Sequence, residues 1–203
     1  MKESVRIDHP VIILLAAGES RRLGRPKQLL VHDGEPLITR ALHAAFGLDG
    51  LPVIVVLGAH ADRMLHLLED KDFHLVRNSD WAEGMASSVR CGVQEAAGRF
   101  PETDGVIIIV CDQPGLAPQT LQGLIDLQRS TGLPVAAATY AGRLGTPAIF
   151  HRSIFPELLK LSGDRGARQL LQQLGPQVAV LSFEEGALDI DTEEDYQRWI
   201  SGS

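Results

Sequence analysis

"VIILLAAGESRRLGRPK", residues 11–27, runs an unbroken apolar segment straight into a cationic loop. Val11 to Ala16 are branched or otherwise apolar with no polar interruption, which predicts a strand covered on both faces. "VIVVL" (53–57) and "VIIIVC" (106–111) read the same way, and "FHLV" (73–76), "PVAAAT" (134–139) and "VAVLS" (178–182) are weaker strand candidates. Helical patterns lie between them. Met64, Leu65, Leu67 and Leu68 form a stripe in "ADRMLHLLED", and Leu121, Leu124, Ile125 and Gln128 another in "APQTLQGLIDLQRS". "GARQLLQQLG" and "TEEDYQRWI" are two shorter ones. Strands alternating with helices predict right-handed crossovers, hence a doubly wound α/β domain with a predominantly parallel sheet. Ligands of such sheets gather at the carboxyl ends of the strands, so the residues just after each strand carry the functional information.

Whole-chain properties narrow the class. With 203 residues and no linker rich in Pro, Gly or Ser, one domain is expected, with about 140–185 as a smaller lobe upon it. A net charge of -7 argues against a general nucleic-acid surface. No apolar run approaches a membrane span, and "MKESVRIDHP" has no apolar core of the kind a signal peptide needs. Cys91 and Cys111 have neither metal-site nor disulfide-framework spacing, which fits a reducing cytoplasm. Cys111 lies inside an apolar strand and reads as a buried, inert thiol. The seven histidines do not cluster; His60, just after a strand, is the one candidate to face the cleft.

The loop after the first strand excludes two phosphate motifs by spacing. Leu23 stands where a P-loop needs its second glycine, and Ser20 where a dinucleotide fingerprint needs its own. The loop still suits an anion. Gly18 and Gly24 let backbone N–H groups approach closely, Arg22 offers a two-donor fork, and Lys27 a compact charge. A solvated turn with its arginines in water is the alternative. Asp112 ends the strand of "VIIIVCDQP", and Pro114 turns the chain away. An aspartate there either makes a turn with its own backbone or offers oxygen to Mg²⁺. In "ALDIDTEEDYQRW", Asp191 or Thr192 can cap the last helix, with Asp195 three residues beyond Thr192, or Asp191 can be a metal ligand; Asp189 is the lesser candidate. Gly84 precedes a helix starting near Met85, with Ser87 and Ser88 in its first turn. Later, Asp164 to Arg168 open another helix, which is either an anion site or simply capped by Asp164.

The segment L-A-A-G-x-S-x-R-x-G-x-x-K, Leu15 to Lys27, resembles the signature of the MobA/MocA-like nucleotidyltransferases, and among them most closely the molybdenum cofactor cytidylyltransferases. Ala17 is the cytidylyl-type residue; the guanylyl branch tends to carry glycine there. Three further segments match in order: N-x-x-W-x-x-G-M-x-S-S from Asn78, D-x-P at Asp112, and D-x-D-T at Asp189 to Thr192. G-x-P-x-x-F from Gly145 and G-D-x-G-A-R from Gly163 resemble the cytidylyltransferases and their accessory relatives.

That resemblance implies a Rossmann-like nucleotidyltransferase fold that includes an antiparallel strand. It implies a single nucleotidyltransferase domain over 1–203, with 10–135 binding nucleotide and 136–200 binding acceptor. Leu15, Ala16, Ala17, Gly18, Arg22 and Lys27 would hold the triphosphate. Gly84, Met85, Ser87 and Ser88 would contact base or ribose. Asp112 and Asp191 would bind Mg²⁺. Gly145, Pro147 and Arg168 would face the acceptor. The expected reaction moves CMP from CTP to a phosphorylated acceptor, a molybdopterin-type pterin, and releases pyrophosphate, with Arg22, Lys27 and Asp112 as the catalytic set. A phosphate acceptor is already ionised, so no activated nucleophile is needed. The alternatives are guanylyl transfer to the molybdenum cofactor, a cytidylyltransferase for a sugar or alcohol phosphate, and a non-catalytic carrier delivering the finished cofactor to a molybdenum hydroxylase.

Overall fold

The computed structural model describes residues 5–68, 72–164 and 166–201. In chain order the elements are β1 (Pro10–Ala16), β2 (Val31–His32), β3 (Glu35–Pro36), α1 (Leu37–Phe46), β4 (Val53–Leu57), α2 (Ala61–Met64), β5 (His74–Arg77), α3 (Met85–Arg99), β6 (Gly105–Val110), α4 (Pro118–Thr131), β7 (Val135–Tyr140), β8 (Arg143–His151), α5 (Phe155–Leu158), α6 (Arg168–Leu174), β9 (Val178–Ser182) and α7 (Glu193–Ser201). Seven strands form one sheet in the order β5-β4-β1-β6-β8-β7-β9. β1 is central and parallel to β4 and β6, whereas β8 runs antiparallel to both β6 and β7. The architecture is the expected doubly wound, mostly parallel α/β sheet with one antiparallel strand. β8 and β9, which fall within the segment expected as a smaller lobe, are hydrogen-bonded into this same sheet.

Side-chain parity explains the two layers. Successive strand residues point to opposite faces. Ile12 and Leu14 join the core formed with Ile38 and Leu42 of α1 and Leu121 and Leu124 of α4. Val11, Ile13 and Leu15 join the opposite core with Val89 and Val93 of α3 and Leu171 of α6. α1 lies outside the helical patterns noted above. Its stripe of Leu37, Ile38, Ala41, Leu42 and Ala45 is buried, and Pro36 leads into it. The "ADRMLHLLED" pattern yields only a short α2 followed by a 3₁₀ turn over Leu65–Leu67; Glu69 and Asp70 lie outside the described residues.

The register places three loops at one edge. Leu15 pairs with Val110 and Ala16 with Leu57, so β1, β4 and β6 end level with one another. The antiparallel β8 brings its first half back to the same edge, since Ile108 pairs with Ala148.

Candidate active site

The loop after β1 is folded by its own polar groups. The backbone N–H groups of Leu23 and Gly24 both donate to Ser20 O, and Lys27 N donates to Ser20 Oγ at 3.0 Å. Gln28, almost wholly buried, donates from Nε2 to Ala16 O (3.0 Å) and Gly18 O (2.8 Å). A ring nitrogen of His60 lies 3.1 Å from Glu19 O. His60 therefore braces the loop from outside.

The four cations of the loop divide into two pairs. Arg21 bonds Glu19, and Arg25 bonds Glu193 while lying over the Tyr196 ring, with both arginines exposed. Arg22 and Lys27 converge instead on one shared carboxylate, that of Asp191. Arg22 Nη2 donates to Asp191 Oδ2 at 2.6 Å, although its side chain is 71% exposed. Lys27, only 15% exposed, donates from Nζ to Asp191 Oδ1 at 2.8 Å and to Asp112 Oδ2. Burial alone would lower the Lys27 pKa, but Asp112 and Asp191 outweigh it and hold the ammonium charged far above its ordinary range.

Asp112, Asp189 and Asp191 each place a carboxylate oxygen within 4.8 Å of the others. Ile190 explains the geometry of the last two. Its side chain is fully buried with Leu30 and Leu37, and its N–H donates to Asp112 O at 3.2 Å, so the residues flanking it project toward Asp112. Desolvation first, and then the Asp112 charge, push the Asp189 carboxyl up to about 7. An all-oxygen, multiply anionic set whose members resist simultaneous ionisation fits a hard divalent cation such as Mg²⁺ or Mn²⁺. Capping of α7 falls to Thr192: its N–H and hydroxyl donate to Asp195 Oδ2, and Asp195 N donates back to Thr192 Oγ1. The Asp191 carboxylate is thereby left to the cluster. Cys111 is buried, and desolvation pushes its thiol up to about 12, as expected for an inert group.

Two cavities open beside Asp112. The first, about 410 Å³, is lined by Leu15, Ala16, Ala17, Gly18, Lys27, Gly84, Met85 and Ser88 together with Trp81 and Gln28. The second, about 510 Å³, is lined by Gln113, Tyr140, Gly145, Thr146, Arg168 and Asp189 among others. Asp112, Met85 and Asp164 line both. Gly84 makes the junction possible. Its φ is +118°, and a Cβ there would meet the Asp164 carboxylate and lie 2.8 Å from the Gly163 carbonyl.

Some expected residues sit elsewhere. Ser87 lines neither cavity; its hydroxyl donates to Gly84 O and accepts from Asn78 Nδ2, which also holds Ser88 Oγ. Pro147 is buried within β8 and lines neither cavity. Arg22 and Asp191, joined by their ion pair, both stand outside the linings of the two cavities. Arg168 is exposed, with its Nε donating to Leu144 O at 3.3 Å. Asp164 does not cap α6, whose N-cap is Ala167 without a side-chain bond; Arg165 lies outside the described residues. Gln28, Gln113 and Asn78 are polar side chains of the site that the motif reading left without a role. The signal available for the two glutamines was their position, each following a charged site residue.

Residues 12–178 match the MobA-like NTP transferase domain. The chain belongs to that family. Among curated relatives, the MobA-like chain is 32% identical to the nicotine blue oxidoreductase of Paenarthrobacter nicotinovorans, over 93% of this chain and 95% of that one. It is 31% identical to the purine catabolism protein PucB of Bacillus subtilis strain 168, over 95% and 96%. Among solved structures it is similar to Rv0371c of Mycobacterium tuberculosis H37Rv in complex with manganese, with a TM-score of 0.77 and 28% identity over 97% and 100% of the two chains. As a MobA-like protein it is a nucleotidyltransferase. No helix among the described residues is long and apolar enough to cross a membrane.

Proposed function

We propose that this MobA-like nucleotidyltransferase moves CMP from CTP to a phosphorylated pterin of the molybdopterin type, in the cytoplasm, and that a molybdenum hydroxylase receives the product. The observation that carries the reading is the pair of cavities sharing Asp112: one is walled by the loop after β1, the other by β8 and α6. Two substrates approaching one carboxylate from opposite sides is the arrangement an in-line transfer needs. Ala17 supports cytidylyl rather than guanylyl transfer, by the resemblance of the loop. Residues 10–135 then serve the nucleotide and 136–200 the acceptor.

In this reading the triphosphate lies over Leu15 to Gly18, with its base toward Gly84, Met85 and Ser88. Ser87 contributes through Asn78, holding the start of α3 in place. The phosphate of the acceptor, oriented from Gly145 and Arg168, directs an oxygen at the α-phosphorus. The new P–O bond forms as the bond to the pyrophosphate oxygen breaks. Lys27 and Arg22 stabilise the departing charge, trading part of their contact with the aspartates for phosphate oxygens. Asp112 and Asp191, joined by Asp189, would hold Mg²⁺. That ion, when bound, supplies charge neutralisation on the phosphate oxygens. No side chain has to take a proton from the acceptor, because its phosphate is already anionic at neutral pH.

The test is pyrophosphate release in the presence of Mg²⁺ and molybdopterin, run with each of the four nucleoside triphosphates. CTP is expected to give the fastest release. Release no greater than that of a Lys27→Ala control would overturn the reading, and a preference for GTP would move the protein to guanylyl transfer.

A further inference from the structure

Arg90 of α3 lines neither cavity. Its guanidinium forks the Glu83 carboxylate, with Nη1 donating to Oε1 at 2.9 Å and Nη2 to Oε2 at 2.5 Å. Nη1 also donates to Leu161 O at 2.6 Å, across 71 residues of chain. The Arg90 hydrogen bonds chiefly, and the Gly163 N–H with them, hold the Glu83 carboxyl below its ordinary range. About one turn earlier on α3, Ala86 N donates to Gly163 O at 3.0 Å. A surface Arg–Glu pair by itself contributes little. This one has a third partner on a remote backbone, and a planar two-point pairing fixes direction as well as distance.

Both segments that Arg90 joins lead into cavity wall. Glu83 is followed by Gly84 and Met85, and Leu161 by Ser162, Gly163 and Asp164. Met85 and Asp164 each line both cavities, so they form a partition that the two cavities share. The partition is closely packed: a Cβ on Gly166, at φ +52°, would lie 2.6 Å from Met85 Sδ. On the Asp164 side the chain is in neither helix nor strand. A wall of that kind loses conformational freedom when a ligand settles against it, and the loss subtracts from affinity. A clamp already made in the empty protein removes that loss in advance.

We infer that Arg90 is a positioning residue: through Glu83 and Leu161 it orders the shared wall before either substrate arrives. This rests on the proposed reading of the two cavities as nucleotide and acceptor sites. The consequence lies in how the sites are coupled. With the clamp, the first substrate has little ordering left to do for the second. Without it, the first substrate fixes the wall and the second then binds more tightly than it would alone.

The experiment measures binding of 6-hydroxymethylpterin phosphate to the full chain, by quenching of pterin fluorescence, with and without saturating CTP, in Ca²⁺ to prevent turnover. In Arg90→Met the pterin phosphate should bind about tenfold more weakly than to wild type when CTP is absent, the scale of one lost hydrogen bond. With CTP present its affinity should return to within about twofold of wild type, so that the tightening caused by CTP grows by about the same factor. Arg90→Lys, which keeps the charge but not the fork, should fall between the two, and it carries the same comparison if the methionine variant does not fold. A merely structural pair would weaken the ligand equally with and without CTP, leaving the effect of CTP as in wild type. That result overturns the inference, and so does unchanged binding in both variants. Failure of the pterin phosphate to bind wild-type protein, with or without CTP, would instead defeat the acceptor reading, and this inference with it.

Discussion

Lys27 Nζ donates to Asp191 Oδ1 at 2.8 Å across 164 residues of chain. The same ammonium also reaches Asp112, so one buried cation ties the loop after β1, the end of β6 and the approach to α7. Formally, Lys27 and Arg22 face three carboxylates, and the cluster stays one charge negative.

Replacing Lys27 with methionine keeps its length and removes its charge. Asp112 and Asp191 then lose their shared buried partner, which is expected to destabilise the protein by about 3 kcal/mol. CTP-dependent pyrophosphate release should fall by roughly 100- to 1,000-fold, the usual loss when one charge-stabilising donor is removed from a transfer site. Steady-state assays and urea denaturation measure the two effects. A loss below about tenfold would take Lys27 out of the phosphate site.

The Asp189 carboxyl gives the protein a pH signature. Its folded-state pKa is raised from the ordinary aspartate value of 3.8 to about 7. Between those values the folded chain holds a proton that the unfolded chain has released, so stability falls as pH rises through this window. Above it, the full cost of an ionised Asp189 beside Asp112 is present. Saturating Mg²⁺ or Mn²⁺ should abolish the slope, and so should Asp189→Asn without metal. Melting curves from pH 4 to 8 test this; an equal slope with and without metal would separate Asp189 from the ion site.

The reciprocal bonds between Thr192 and Asp195 start α7 directly after Asp191. Thr192→Ala should cost about 1 kcal/mol, as loss of an N-cap usually does. It should also weaken Mn²⁺ binding several-fold, because the turn that carries Asp191 loosens. The bonds from Thr192 hold the Asp195 carboxyl below its ordinary range, so their contribution is present above that range and is lost as pH falls through the lowered pKa. Urea midpoints and metal titration report the two consequences; unchanged metal affinity would mean that Asp191 is positioned from the Ile190 side alone.

Gln28 pins the carbonyls of Ala16 and Gly18. Gln28→Leu leaves both without that donor, at an expected cost of about 1–3 kcal/mol. Because the amide shapes the loop and carries no charge, KM for CTP should rise about tenfold while kcat holds. A fall in kcat with KM unchanged would mean that Gln28 acts on the transition state instead.

The apolar runs at 11–16, 53–57 and 106–111 were enough to predict β1, β4 and β6, because a strand buried on both faces has no room for polar residues. From that came the parallel sheet, and the rule that ligands collect where its strands end. The motifs named Lys27, Asp112 and Asp191, residues that the fold brings into direct contact. Sequence by itself could not show that Lys27 is the one cation of this loop that the fold buries, since Arg21, Arg22, Arg25 and Lys27 look alike along the chain and only packing decides which carboxylates they meet. Nor could it show that Asp189 completes the cluster, which depends on Ile190 being buried. The role of Gln28 was equally hidden: what its amide does depends on the backbone carbonyls of Ala16 and Gly18 that it meets only in the folded loop. Pairing between remote segments is a property of the packed chain, and it turned a set of separate motifs into two cavities that share Asp112.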